Sequence, residues 1–507
     1  MVKFYDRSRL FFFILCISIS IVSINYYNGS KLLFIIYNIV LIFLCYYSTS
    51  RSNSFFNIFL SFYIFLGFWF KYICTLIFLE GDMYDSGLQE DVLNPLFINN
   101  SSYIDNVLIK SIFIFLAILF ANYISNKYFF YNKKNLEFSK IFFINCYNKY
   151  KKMSVFFFVL SFIIIGLLNF NYKISIKGMI YDNDYNFFFL NFIKWLIFYG
   201  FITISCVILH EEIIKKNKKL IFFFIIVFLE MFVSNASILS RSMPLLLLPF
   251  FIPLIYYDNK FFKSSLNIFL ILTIFFIFSF NSIFVSNKLR LELSKDFSKL
   301  ELDQKKYKDN SNNLSISSKK VNKEIEDKKK KIDKIIYSPN KISSFIFINR
   351  WVGLDSLINV SRSSKLSFSL LFEALKEKKL KSGNTFYESR FFNYNRQKPL
   401  SAGSVHMKGN TLPGLISFLY YSGNIYFVSI ILIIIIIIFN FLEKKIFFIS
   451  KRNLIFSAFI SNVIVYRIFS FGYAPKDTYL LLISLCISIF IVYFISNFNY
   501  SFRIKKK

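Results

Sequence analysis

The sequence predicts an all-α, polytopic integral membrane protein with about 12 transmembrane helices and a large outer-face loop domain between the ninth and tenth helices. Three observations predict it. Of 507 residues, 55% are hydrophobic and 21% aromatic, and the apolar residues gather in runs of roughly 17 to 25, the length a helix needs to cross about 30 Å of hydrocarbon. Lysines concentrate in alternate loops, the asymmetry that orients membrane chains. One long hydrophilic stretch, 285–413, separates the first spans from the last.

The spans are expected at 10–27, 32–48, 55–79, 108–126, 154–170, 187–209, 220–234, 243–257, 265–284, 414–440, 453–470 and 478–499. The opening ten residues carry Lys3, Arg7 and Arg9 before an apolar run, as a signal peptide does. No small-residue cleavage site follows and a second span begins at once, so the first is read as retained. An even count puts both termini on one side. The loops after even-numbered spans hold Lys127 to Lys152, Lys215 to Lys219, Lys260 with Lys263, and Lys444 to Arg452, and the tail holds Arg503 to Lys507. The positive-inside rule therefore makes both termini cytoplasmic. The chain divides into a membrane domain at 1–284, a loop domain at 285–413, and the last three helices with a cytoplasmic tail at 414–507.

Lys+Arg number 61 against 29 Asp+Glu, a formal charge of +32. In a soluble chain that excess would raise nucleic acid as a partner. Here much of it lies in loops between spans, where it meets anionic membrane lipid, and no nucleic acid is expected. Cys16, Cys45, Cys74, Cys146, Cys206 and Cys486 fall in apolar spans or in a cytoplasmic loop, so neither a disulfide framework nor a metal cluster is implied.

The loop domain changes character along its length. From 294 to 340 it is rich in Lys, Asn, Ser and Glu, and Val321, Ile325, Ile332, Ile335 and Ile336 give at best a weakly amphipathic helix, so this part reads as a solvated insertion. From 341 to 413 the composition turns globular, and SLLFEALKEKKL reads as one helix stopped by Ser382 and Gly383. A small helical cap over the outer face is expected. The stretch from Arg390 to Gly423, which joins it to the next span, brings Arg390, Arg396, Lys398, His406 and Lys408 to the membrane surface, with Gly403, Gly409, Gly414, Pro399 and Pro413 shaping the backbone around them, which suits a fixed loop that binds an anion.

Ionisable groups inside spans are costly and mark function by default. Lys71, Lys110, Lys194, Glu230 and Arg467 all fall in the outer halves or ends of their spans, and Arg241 follows the seventh span on the same side. For the three lysines the plain account is snorkelling to the headgroups. Arg241, in the polar break VSNASILSRSMP, and Arg467, in VYRIFSFGYAP, instead point to a cationic pocket whose guanidinium groups grip phosphate.

No Walker A loop, HExxH, GxSxG or paired CxxC is present. The first outer loop, Asn28 to Lys31, is too short for the acidic motif that many lipid-dependent membrane glycosyltransferases carry there. What remains is arginine, lysine and one histidine, a set that stabilises a pyrophosphate leaving group and deprotonates a hydroxyl without metal or cofactor. His406 is the natural general base because imidazole titrates near neutral pH, although a surface histidine bonded in a turn has the same sequence appearance. Asp355 and Glu388 are alternative bases. Arg350 either binds phosphate and sugar beside Trp351 or forms a salt bridge with Asp355. His210, opening HEEIIKKNKK, reads as a solvated helix end. The catalytic candidates are thus His406, Asp355 and Arg241, and the substrate-binding candidates Arg241, Arg350, Arg390, Arg396, Lys408 and Arg467.

The span layout, the large outer loop, the SRS arginine, NRWVGLDS and above all GNTLPGLISFLYYSG resemble the Wzy-type oligosaccharide repeat-unit polymerases of bacterial O-antigen and capsular polysaccharide assembly. The resemblance implies a glycosyltransferase of the inner (cytoplasmic) membrane, active on its outer face. It would transfer a growing glycan from undecaprenyl pyrophosphate to the sugar of a fresh lipid-linked repeat unit, with a chain-length regulator and a flippase as partners. The arginines that such proteins use on pyrophosphate and anionic glycan correspond to Arg241 and Arg350, and less securely to Arg396 and His406. An O-antigen ligase shares the layout. A flippase or transporter of lipid-linked sugars differs in binding near the bilayer midplane, often between repeated halves, and no internal repeat is visible here.

Overall fold

A computed structural model describes residues 2–50, 53–78, 101–129, 147–176, 179–181, 187–215, 219–240, 243–251, 264–309, 351–377, 385–391, 405–407, 412–470 and 473–497. The fold is all-α and polytopic. In chain order the helices are α1 (Val2–Ser23), α2 (Lys31–Ser48), α3 (Phe55–Phe78), α4 (Ser101–Phe129), α5 (Lys151–Tyr172), α6 (Phe187–Trp195 continuing through Phe201–Ile214), α7 (Leu220–Ser237), α8 (Met243–Leu246) and α9 (Ser265–Asp309). Short helices α10 (Leu354–Ser361), α11 (Phe368–Leu375), α12 (Phe386–Phe391) and α13 (Leu415–Leu419) follow, then α14 (Ile425–Ile449), α15 (Leu454–Ser470) and α16 (Pro475–Asn497). Two three-residue strands, β1 (Met179–Tyr181) and β2 (Val405–Met407), pair antiparallel.

Among the described residues ten helices are long and apolar enough to cross a membrane, and α15 is a shorter apolar helix. Every residue of α15 from Leu454 to Val465 is buried. A helix that is apolar all round belongs in an interior, and α15 packs against α3, α6, α14 and the segment 243–251. Helices farther out, among them α1, α5, α9 and α16, carry large apolar side chains outward, as lipid requires.

The expected eighth span differs in its described part. Residues 243–251 form only the one-turn α8 and a 3-10 turn, Leu248–Phe251. Pro244 and Pro249 lack the amide hydrogen that a continuous helix uses. Asn462 of α15 donates to the Leu245 carbonyl at 2.9 Å, so irregular backbone is satisfied inside protein. The expected tenth span, 414–440, also moves: α13 and the turn Tyr420–Ser422 end at Gly423, whose φ of +71° is a left-handed cap. Asn424 then caps α14 by accepting from the Tyr426 and Phe427 amides. The ninth helix runs on to Asp309, so the first part of the expected solvated insertion is helical, while 310–340 lies outside the described residues.

Side-chain capping gathers the helix ends at two levels. At one end Glu443 of α14 accepts from the Phe55 and Phe56 amides of α3 at 2.9 and 2.6 Å and from Ser461 at 3.0 Å. Asn440 bonds Asn57 and Ser54 beside it. At the other end Asp105 of α4 accepts from Tyr27 and from the Ser30 amide ahead of α2. Burial holds the Tyr27 hydroxyl well above its ordinary pKa, and nearby Tyr72 and the Asp105 carboxylate push it the same way.

Candidate functional site

The second of these ends receives the loop domain. Residues Trp351 to Val360 are buried, and α10 is sunk into the bundle rather than laid over it. Helix α3 makes room with a π-turn, Phe65–Phe70, a feature that recurs at functional sites. At its centre Gly67 meets Val352 and Gly353 backbone to backbone, and a Cβ on Gly67 or Gly353 would collide with the other strand of chain. One turn on, Lys71 Nζ lies 2.8 Å from Asp355 Oδ2 and 3.2 Å from the Trp351 carbonyl. Lys71 is 1% exposed and Asp355 0%. Lys71 therefore does not snorkel, and Asp355 takes its cation from α3.

Other bonds fix the same segment. The Val352 amide donates to the Ser470 carbonyl, Ser356 and Ser417 hydroxyls pair at 2.7 Å, and Tyr103 of α4 donates to the Ile358 carbonyl at 2.7 Å. Ser470 closes a second π-turn, Tyr466–Ser470, in α15, and a third, Leu196–Gly200, lies in α6. Arg467, half-buried in the second, stands within electrostatic reach of Tyr199 in the third. Tyr63, one turn before the first π-turn, touches the rings of Trp351 and Tyr466 and donates to Asn462 at 3.0 Å. Asn462 in turn holds Leu245. The first two π-turns, the docked loop and the broken segment after Arg241 thus meet in one aromatic and polar cluster, with Tyr199 of the third in electrostatic reach of it. At its rim the Tyr473 amide bonds the Pro413 carbonyl, and burial pushes the Tyr473 hydroxyl up to about 12.

The sequence candidates distribute unevenly over this arrangement. Asp355 and Arg467 belong to it. Asp355 already accepts from Lys71 and from the Gly353 amide at 3.1 Å, which gives it an anchoring task. Arg390 lies in α12, half exposed, paired with Glu373 at 2.6 Å and set over the Phe386 ring. Glu388 is buried in a capping box with Thr385: its carboxylate accepts the Thr385 amide at 2.9 Å, and Thr385 Oγ1 accepts the Glu388 amide at 3.1 Å. His406 sits in β2 with its Cα opposite that of Ile180, so its backbone belongs to a strand pair rather than an open loop. Arg241, Arg350, Arg396 and Lys408 lie outside the described residues.

Three further ionisable residues are placed differently from their sequence appearance or were passed over. His210 is buried at 5% exposure inside α6, not at a solvated helix end. Two residues on, buried Glu212 accepts from Tyr147 at 2.9 Å and Lys151 at 2.5 Å. Glu230 is fully buried in α7 and accepts from Ser234 at 2.9 Å. Lys71, Tyr63, Tyr199 and Asn462 are members of the cluster that sequence reasoning did not select. The signal for the first was a cation in the middle of an apolar run. Asn462 also interrupts such a run, and Gly67 marks the close approach. Chemically, the cluster sets a guanidinium and tyrosine hydroxyls in a wall shielded from water, where electrostatic interactions are stronger than in solution. Compared with protein-family models, with curated proteins and with solved structures, the chain finds no match in any of the three.

Proposed function

We propose that this protein polymerises lipid-linked oligosaccharide repeat units, by glycosyl transfer from a polyprenyl pyrophosphate on the outer face of the cytoplasmic membrane. The observation that carries the reading is the burial of Trp351 to Val360 in one end of the bundle, clamped by the Lys71–Asp355 pair. A large hydrophilic loop locked against cations at the end of a membrane bundle suits a reaction between two lipid-anchored, water-soluble glycans. Arginine neutralises the departing pyrophosphate, and the base is His406. Arg241 and Arg350 complete the anion-binding set, with Arg396 and Lys408 on the glycan. The chemistry needs no metal or cofactor in this scheme. A chain-length regulator and a flippase would act with it.

A second reading, transport of lipid-linked sugars, is favoured by one feature: the broken segment 243–251 held inside the bundle by Asn462. A single experiment separates the two. The length distribution of surface polysaccharide is measured in cells lacking the gene and complemented with wild type, Arg241→Ala or Arg241→Lys. Polymerase activity predicts single-unit chains in the null strain, long chains with wild type, none with Arg241→Ala and few with Arg241→Lys, because lysine lacks the two-pronged donor geometry. Absence of any surface chain in the null strain, with lipid-linked units retained on the cytoplasmic face, would transfer the assignment to transport.

A further inference from the structure

Glu230 takes no part in the scheme above, and its position is costly. Counting from Leu220 at the start of α7, Glu230 is ten residues along, a rise of about 15 Å and half of a hydrocarbon core about 30 Å thick. Its side chain is 0% exposed. Ser234, one turn on, donates to Oε1 at 2.9 Å, and Oε2 has no hydrogen-bond partner. Glu230 makes no ion pair among the described residues, whereas Asp355 is met by Lys71, Glu212 by Lys151, and Glu443 by two backbone amides. An ionised carboxylate buried without such a partner is strongly unfavourable. The site calls for one positive charge.

The surroundings suit a small ion. Phe228 and Phe232 pack on Phe275 and Phe278 of α9 at 5.8 and 6.1 Å, and further along the same interface Asn235 donates to Ser282. Here too polar atoms are buried without partners: Asn235 Oδ1, Ser279 Oγ and Ser286 Oγ. Ser234 and Asn235 are consecutive, so the residue that holds Glu230 adjoins this polar seam. Open oxygens of this kind take water or a hard cation. From α6 the Cys206 thiol stands in electrostatic reach of Glu230, and His210 follows one turn later. The neighbouring stretches 158–165 of α5 and 271–278 of α9, and the segment 243–251, carry no titratable side chain. No three His, Cys, Asp or Glu side chains gather to hold a metal ion among the described residues, and a single carboxylate balances a single charge.

We infer that Glu230 is a binding site for one monovalent cation, a proton or a sodium ion, held at its open oxygen Oε2 inside the membrane-spanning bundle. The shared chemistry is one positive charge on one desolvated carboxylate. A cation bound at mid-depth lies within the transmembrane potential, so its occupancy ties the state of the bundle to an ion gradient, whichever reaction the loop-domain end performs. The inference does not depend on the polymerase reading.

The test uses the purified full chain in one detergent, as wild type and as Glu230→Gln, which keeps the shape of the side chain and removes its charge. Two measurements are made on each protein. Infrared difference spectroscopy at neutral pH detects the carbonyl stretch of a protonated carboxylic acid, and thermal unfolding is followed in sodium chloride and in choline chloride at equal ionic strength. A bound proton gives an acid band in wild type that Glu230→Gln loses, with equal midpoints in the two salts. Bound sodium gives a wild-type midpoint that rises with sodium concentration and a flat response in Glu230→Gln. Neither a Glu230-dependent acid band nor a Glu230-dependent sodium response would overturn the site and leave Glu230 as a structural hydrogen-bonding group. Where Glu230→Gln does not fold, Ser234→Ala decides. It removes the hydrogen bond to Oε1, so the acid band must shift or the sodium response weaken, and identity with wild type in both measurements overturns the site. Neither measurement involves surface polymer, so the outcome and the fate of the polymerase reading are read separately.

Discussion

Lys71 and Asp355, 284 residues apart in sequence, form a 2.8 Å ion pair with neither side chain more than 1% exposed. A buried pair of this kind contributes little net stability when intact, but removing one partner leaves a charge in a medium that cannot solvate it. The pair therefore acts as a register pin between α3 and the loop domain.

Lys71→Met should destabilise the protein by about 3–5 kcal/mol, and Asp355→Leu by a similar amount. The double variant should recover much of the loss, because no unpaired charge remains. Thermal unfolding of the four proteins in one detergent measures the cycle. Additive losses in the double variant would show that the two side chains are not coupled.

Gly67→Ala and Gly353→Ala should both undock the loop, since the added methyl group meets backbone that has no side chain to move aside. Gly423→Ala should be milder, about 1 kcal/mol or somewhat more, from the left-handed φ of +71°. Limited trypsin digestion reads the difference at Arg362 and Lys365. Fast cleavage there is expected in the first two variants, and protection equal to wild type in Gly67→Ala would remove the steric claim.

Glu443→Ala should cost more than Asn440→Ala. The carboxylate serves two α3 amides and a serine hydroxyl, and hydrogen bonds to a charged group contribute about 1.5–3 kcal/mol each way. Chemical denaturation midpoints rank the two variants. The reverse order would mean that the amide ladder through Asn440, Asn57 and Ser54 carries this end of the bundle.

The orientation argued from the lysine-rich loops has a direct check. A Ser364→Cys variant should react with a membrane-impermeant maleimide in intact spheroplasts, and Lys451→Cys only after permeabilisation. Labelling in the opposite pattern would invert the topology.

Hydropathy made most of the bundle legible before any coordinates, because apolar length is a one-dimensional property. It was less informative where the chain changes direction without changing polarity. Tyr420 to Gly423 is as apolar as the helix that follows, so the break before α14 was hidden, although the Gly423-Asn424 pair offered the turn signal. Pro244 and Pro249 likewise marked the described part of the eighth segment, 243–251, as unable to run as one regular helix. Asp355 was visible as an acid in NRWVGLDS, but its partner was not, since a pairing across 284 residues leaves no local pattern. Arg467 was singled out because an arginine in an apolar run is expensive. The same reasoning applied with equal force to Lys71, where the length of the side chain made a surface escape the simpler account.

The bond between Glu443 and the first amides of α3 joins residues 388 positions apart. Translation proceeds at roughly 5–20 residues per second, so roughly 20 to 80 s separate the emergence of these partners. During that interval the beginning of α3 must be sheltered by water, lipid headgroups or the insertion machinery. The bundle is therefore finished from its last third backwards, and a nascent chain interrupted before α14 would leave the ribosome with its third helix still unsealed.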